Sequence, residues 1–155
     1  MTRPGISHAA ILKAHQRDQS GRNPDIMSHT MFVNLPVQDV ERSKEFFTKL
    51  GFQLFGMGDE MASVVINDRT QVMLLAEPVF AGYARNPVAK PGDTTQVIMV
   101  IAADDREGVD ALFEKAVAAG AQPVGEPRES FGRYQRAFTD LDGHHWEALC
   151  LVQPA

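Results

Sequence analysis

The side chains best equipped for chemistry gather near the end of the chain, in Asp140-Leu141-Asp142-Gly143-His144-His145-Trp146-Glu147. His145 and Glu147 stand two residues apart, so in a strand they share one face, while Trp146 and Cys150 take the other. An imidazole beside a carboxylate can ligate a metal or move a proton. The plainer reading of His144-His145 is a hydrogen-bonded strand start, and that of Glu147 a carboxylate on the wall of a sheet. Cys150 lies inside an apolar run, which fits a buried, inert thiol. Asp104-Asp105-Arg106-Glu107 reads as a solvated helix start with acids at the positive end of the dipole. No glycine-rich phosphate loop, nucleophile elbow or paired-cysteine metal motif occurs.

The totals narrow the partners. A net charge of −5 argues against nucleic acid. No apolar run approaches the roughly 18 residues of a membrane span. One cysteine allows no internal disulfide and fits a reducing cytoplasm. The first 26 residues lack the continuous apolar core of a secretory signal, and their few arginines, balanced by Asp18 and Asp25, speak against a transit peptide.

The elements that would hold these side chains come in two copies. Residues 30–80 read strand, helix and three short strands; residues 95–152 repeat that order. In the first copy Met31, Val33, Leu35 and Val37 alternate with Phe32, Asn34 and Pro36, which gives a two-faced strand. Asp39 is the expected N-cap of a helix carrying Val40, Ser43, Phe47 and Leu50, with Gly51 ending it. Asn67-Asp68-Arg69 is the expected hairpin turn. In the second copy Val97, Met99 and Ile101 alternate along a strand, Val109, Leu112, Phe113 and Ala116 form the helix stripe, and Gly120 closes it. Asp140–Gly143 is a four-residue turn. Pro78, Gly82, Pro87, Pro91 and Gly92 mark a linker or a loop over a cavity, with no further element expected. The organisation is therefore an N-terminal arm at 1–27, loose or packed on a partner, a first module at 28–80, a linker loop at 81–94 and a second module at 95–152.

Asn34-Leu35-Pro36-Val37, followed by Asp39-Val40-Glu41-Arg42-Ser43-Lys44-Glu45-Phe46-Phe47, resembles the opening of vicinal-oxygen-chelate proteins. That superfamily spans glyoxalase I, bleomycin-resistance proteins and extradiol dioxygenases. Phe138-Thr139-Asp140-Leu141-Asp142-Gly143-His144-His145-Trp146-Glu147 resembles its second signature, and the likeness covers residues 29–152. The resemblance, nearest to the glyoxalase-like (lactoylglutathione lyase) branch, implies an α+β fold. Its two βαβββ modules would form an open, cleft-containing mixed β-barrel with helices outside. Members usually hold one divalent metal through four side chains, and they commonly pair as homodimers.

Carried over by position, those four ligand places fall on Phe32, about Leu75, about Gln96 and Glu147. Only Glu147 is a natural metal ligand. His145, Gln96, or Glu77 turned inward by a bulge are weak substitutes; His29 falls on the opposite parity from Phe32. The expectation is thus a cleft lined by Phe32, Asn34, Gln96, Ile98, His145 and Glu147 that binds a small organic molecule, with no cofactor and a degenerate metal site. Tyr134 and Phe138 are expected in the core. Two alternatives stand beside this reading. One is a divalent-metal lyase of glyoxalase I type, or another enzyme of the superfamily such as a dioxygenase, in which Glu147 is catalytic. The other is a structural dimer whose cleft is filled by its own side chains.

Overall fold

Alternation in the first apolar segment turns Val33, Leu35 and Val37 of β1 (Met31–Val37) into the core and leaves Phe32 and Asn34 on the opposite, open face. The computed structural model describes residues 29–152; expectations for the arm at 1–27 lie outside the described residues, and His29 is exposed just before β1. Helix α1 (Val40–Lys49) starts at Asp39, whose Oδ1 accepts the Arg42 amide hydrogen at 3.0 Å. One side of α1 buries Val40, Ser43, Phe46 and Phe47. That helical stripe is wide enough to cover a sheet. Gly51, at φ 99°, supplies the left-handed residue just past the helix.

The chain then forms β2 (Gln53–Gly56), β3 (Met61–Asn67) and β4 (Thr70–Ala76). The sheet order is β1-β4-β3-β2, with β1 parallel to β4 and the other pairs antiparallel. A short helix α2 (Glu77–Tyr83) follows and packs on β1 and β4. The second half runs β5 (Ile98–Ala102), α3 (Arg106–Ala118), β6 (Gln122–Ser130), β7 (Arg133–Thr139) and β8 (His145–Leu151), in the order β5-β8-β7-β6. The two orders are the same, so the repeat in the sequence is a repeat in space. The fold is α+β: two βαβββ modules, each with an open four-stranded sheet and no closed barrel.

Each sheet carries its helix on one face, and the helix-bearing sides share one core. Phe46 and Phe47 belong to the same cluster as Phe113, Phe138 and Trp146. The rings of Phe47 and Trp146 are 5.3 Å apart, and those of Phe113 and Phe138 6.5 Å. The opposite faces stay open: Phe32 is 57% exposed and Ile98 47%.

Three expectations need correction. The segment 78–92 contains a helix, because Pro78 stands in the first turn of α2, where its fixed φ suits a helix and its missing N–H was never to be bonded. Glu77 therefore opens that helix, exposed, and does not turn inward from β4. Gln96 is not on a strand. β5 pairs only with β8, and the ladder begins at Ile98 opposite His145, where the preceding turn releases β8. Before that point residues 95–97 pair with no strand among the described residues, and Thr94 makes only an isolated bridge to Pro91.

Candidate functional site

The turn that releases β8 is built by one carboxylate. Asp140 is buried, and its Oδ1 accepts the amide hydrogens of Asp142 and His144, each at 3.0 Å. Its Oδ2 accepts Nε1–H of Trp146 at 2.9 Å. Burial pushes the Asp140 carboxyl above the usual carboxylate range, against the opposing pull of His144, the Trp146 hydrogen bond and the two amides.

The rest of the turn reaches across to the first module. Asp142 accepts the Gln38 amide hydrogen at 2.9 Å and the Ser43 hydroxyl at 3.3 Å. Arg42 donates to the Leu141 carbonyl at 3.2 Å, and His144 Nε2 meets the Pro36 carbonyl at 2.7 Å. Asp142 and His144 thus fasten the two modules together at the start of α1. Nothing in the spacing of the turn announced this, because their partners lie about a hundred residues away.

Beside this fastening lies a cavity of about 400 Å³. Its walls come from the second half of β1 (Asn34, Leu35, Pro36), from Phe80 of α2, from the segments 84–91 and 94–97, from Met99, and from Gly143, His144 and His145. Gly143 makes the closure feasible. Its φ is 96°, and a Cβ there would stand 2.8 Å from the Gly92 nitrogen, so only glycine lets the loop approach the turn. The lining is mainly apolar with a few amide, hydroxyl and imidazole groups, the usual make-up of a small-molecule site. Among the described residues that line it there is no aspartate or glutamate, and the charged side chains are Arg85 and Lys90.

Of the residues singled out from the sequence, Asn34, Gln96 and His145 line this cavity. Phe32, Ile98 and Glu147 do not; they stand on the open faces of the sheets. Val100 and Ala137 are the partners of Glu147 across the ladder, and its side chain is 18% exposed, so it is not turned into bulk water. His145 Nε2 sits 3.6 Å from Glu147 Oε1, beyond hydrogen-bond reach, and is buried with no partner. Sequence reasoning missed Phe80, Arg85, Lys90 and Met99. The available signal was a proline-rich segment bearing two cations in an acidic chain.

A divalent ion needs three or four converging donors. Among the described residues no group of three or more His, Cys, Asp or Glu side chains is so arranged. Phe32 has no donor atom, Leu75 is buried, and Glu77 is exposed at the head of α2. His145 and Glu147, both on one strand, are too few to make a shell. Among the described residues, the side chains at these positions do not make a donor set that fits a resident metal.

Comparison with solved structures agrees with the topology. A hypothetical protein from S. aureus is 32% identical, with a TM-score of 0.70 over 81% of this chain and 95% of that one. A glyoxalase-related enzyme from Fulvimarina pelagi is 18% identical, with a TM-score of 0.71 over 80% of this chain and 88% of its own. TnmS3, an antibiotic binding protein from Streptomyces, is 24% identical, with a TM-score of 0.58 over 81% and 97%. At such identities the last two speak for the fold alone. No curated protein matches the chain. The family model that matches covers residues 26–148, both modules and the turn between β7 and β8, and on that ground the chain belongs to the glyoxalase/bleomycin resistance protein/dioxygenase superfamily.

Proposed function

We propose that this protein binds a small organic molecule in the cavity between β1, α2 and the 84–97 segment, without a resident metal. The observation that carries the reading is the pairing of a roomy, mainly apolar pocket with a ligand set reduced to one strand's His145 and Glu147. The similar fold of an antibiotic binding protein supports it as analogy. Binding stabilises a native state by mass action, so a ligand in excess raises the melting temperature. Thermal-shift screening against aromatic and glycopeptide compounds should find stabilising members. Silence across all classes would refute the reading, and stoichiometric metal in protein purified without chelators would refute it in favour of the lyase alternative.

The reading includes a homodimer in a reducing cytoplasm. Phe32, Ile98 and Val100 are exposed on open sheet faces, an unusual place for large apolar side chains unless a second surface covers them. The lone, buried Cys150 suits that compartment. Light scattering on a sizing column should report twice the chain mass. A monomer at micromolar concentration would remove the dimer from the reading.

A further inference from the structure

The cavity differs in charge from the chain that contains it. The protein carries a net −5, yet among the described residues no acid lines the pocket, and two cations, Arg85 and Lys90, stand in its wall on the loop between α2 and β5. Both are exposed, and among the described residues neither forms an ion pair. Five of the chain's other basic side chains do pair with acids: Arg42, Lys44, Arg69, Arg106 and Arg136. Within the same wall, Pro36, Phe80, Val88 and Val97 offer apolar surface. His145 adds a buried ring nitrogen that lacks a partner. Its nearest acid, Glu147, lies 3.6 Å from that nitrogen and outside the lining.

Resting on the binding function proposed above, we infer that the pocket selects small, mainly apolar molecules that bear one acidic group, an aryl or alkyl carboxylate being the simplest case. The acid meets Arg85 and Lys90 at the mouth, and the apolar body lies against Phe80, Pro36 and Val97. Partly exposed charge pairs are individually weak, so the cations act by selecting among ligands whose affinity comes from apolar burial. Neutral isosteres of the same shape bind, but less tightly. A cationic ligand is disfavoured, because no carboxylate in the wall would neutralise it.

The test uses the full chain and matched pairs: benzoate, 2-naphthoate and 2-anthroate against their primary amides, titrated calorimetrically. The acid of at least one pair should bind about tenfold more tightly than its amide. That ratio should collapse towards one in the double variant Arg85→Gln/Lys90→Gln. Both side chains are exposed and unpaired among the described residues, so the fold should survive, as circular dichroism would verify. Salt gives a second reading that needs no variant: raising ionic strength should weaken the acid and leave the amide in place. Equal affinities, or a ratio that neither substitution nor salt moves, overturn the charge selection while the pocket stands. If no acid and no amide binds while the thermal-shift screen finds other ligands, this inference falls and the binding function stands; silence in both removes both.

Discussion

Asp140 concentrates more of the local architecture than any other single side chain. Three donors converge on its two oxygens, two amides on one and the Trp146 indole on the other. Alanine removes both oxygens and strands all three donors, so Asp140→Ala should cost about 1–3 kcal/mol, read by urea denaturation with Trp146 fluorescence. Its titration gives a pH signature. Because its folded-state value is raised above the ordinary 3.8, the folded state holds the proton longer than the unfolded chain does. The Asp140 contribution to stability should then be full below that ordinary value and diminish as pH rises towards the folded-state value. A variant lacking the carboxyl should lose this component of the pH profile. Gly143 is constrained for a different reason. At φ 96°, with Gly92 pressed against it, Gly143→Ala should cost about 1–3 kcal/mol by backbone strain and loosen the 84–97 segment over the pocket. Amide exchange in that segment should rise.

At the scale of elements, the turn before β8 acts as a clasp on the start of α1. Asp142, almost wholly buried, satisfies the Gln38 amide and the Ser43 hydroxyl from the other module. Asp142→Ala should strand both donors and cost about 1–3 kcal/mol. Hydrogen exchange should accelerate at Gln38 before it does in the strands. Helix α2 is the element that makes a pocket out of an edge. With Phe80 it covers the end of β1, and the chain leaving it forms the remaining wall. Its proline, with Pro87 and Pro91 just beyond it, had suggested loop. The same residue that breaks a helix interior starts a helix well, and only the packing of α2 on β1 and β4 decided which applied.

Over the whole molecule, the two modules share one hydrophobic cluster, so they should not unfold separately. Calorimetry should show one transition with equal calorimetric and van't Hoff enthalpies. Phe47→Ala should report on both halves at once. The ring is buried and lies against Trp146 of the other module, and its loss should cost about 3–5 kcal/mol with no separate early phase. Two transitions would mean that the cluster does not couple the modules.

The strands, both long helices, their caps and the hairpin turns were legible because they rest on local rules. Alternation of period two, a helical stripe, an aspartate at each N-cap and a glycine past each C-terminus act within a few residues of each other. The order of elements, repeated, carried the fold as well. The clasp and the pocket were not legible. His144 and Pro36, or Gly143 and Gly92, meet only when distant segments pack, and no pattern in the chain marks one as the other's partner. For the same reason Gln96, on the loop, joined Asn34 and His145 in the wall, while Glu147, the most chemically suggestive residue, lay outside it. Residue type and spacing determined which groups exist and which face of an element they take. Tertiary packing alone decided which of those faces enclose a cavity, because enclosure depends on long-range contacts that local propensity does not encode.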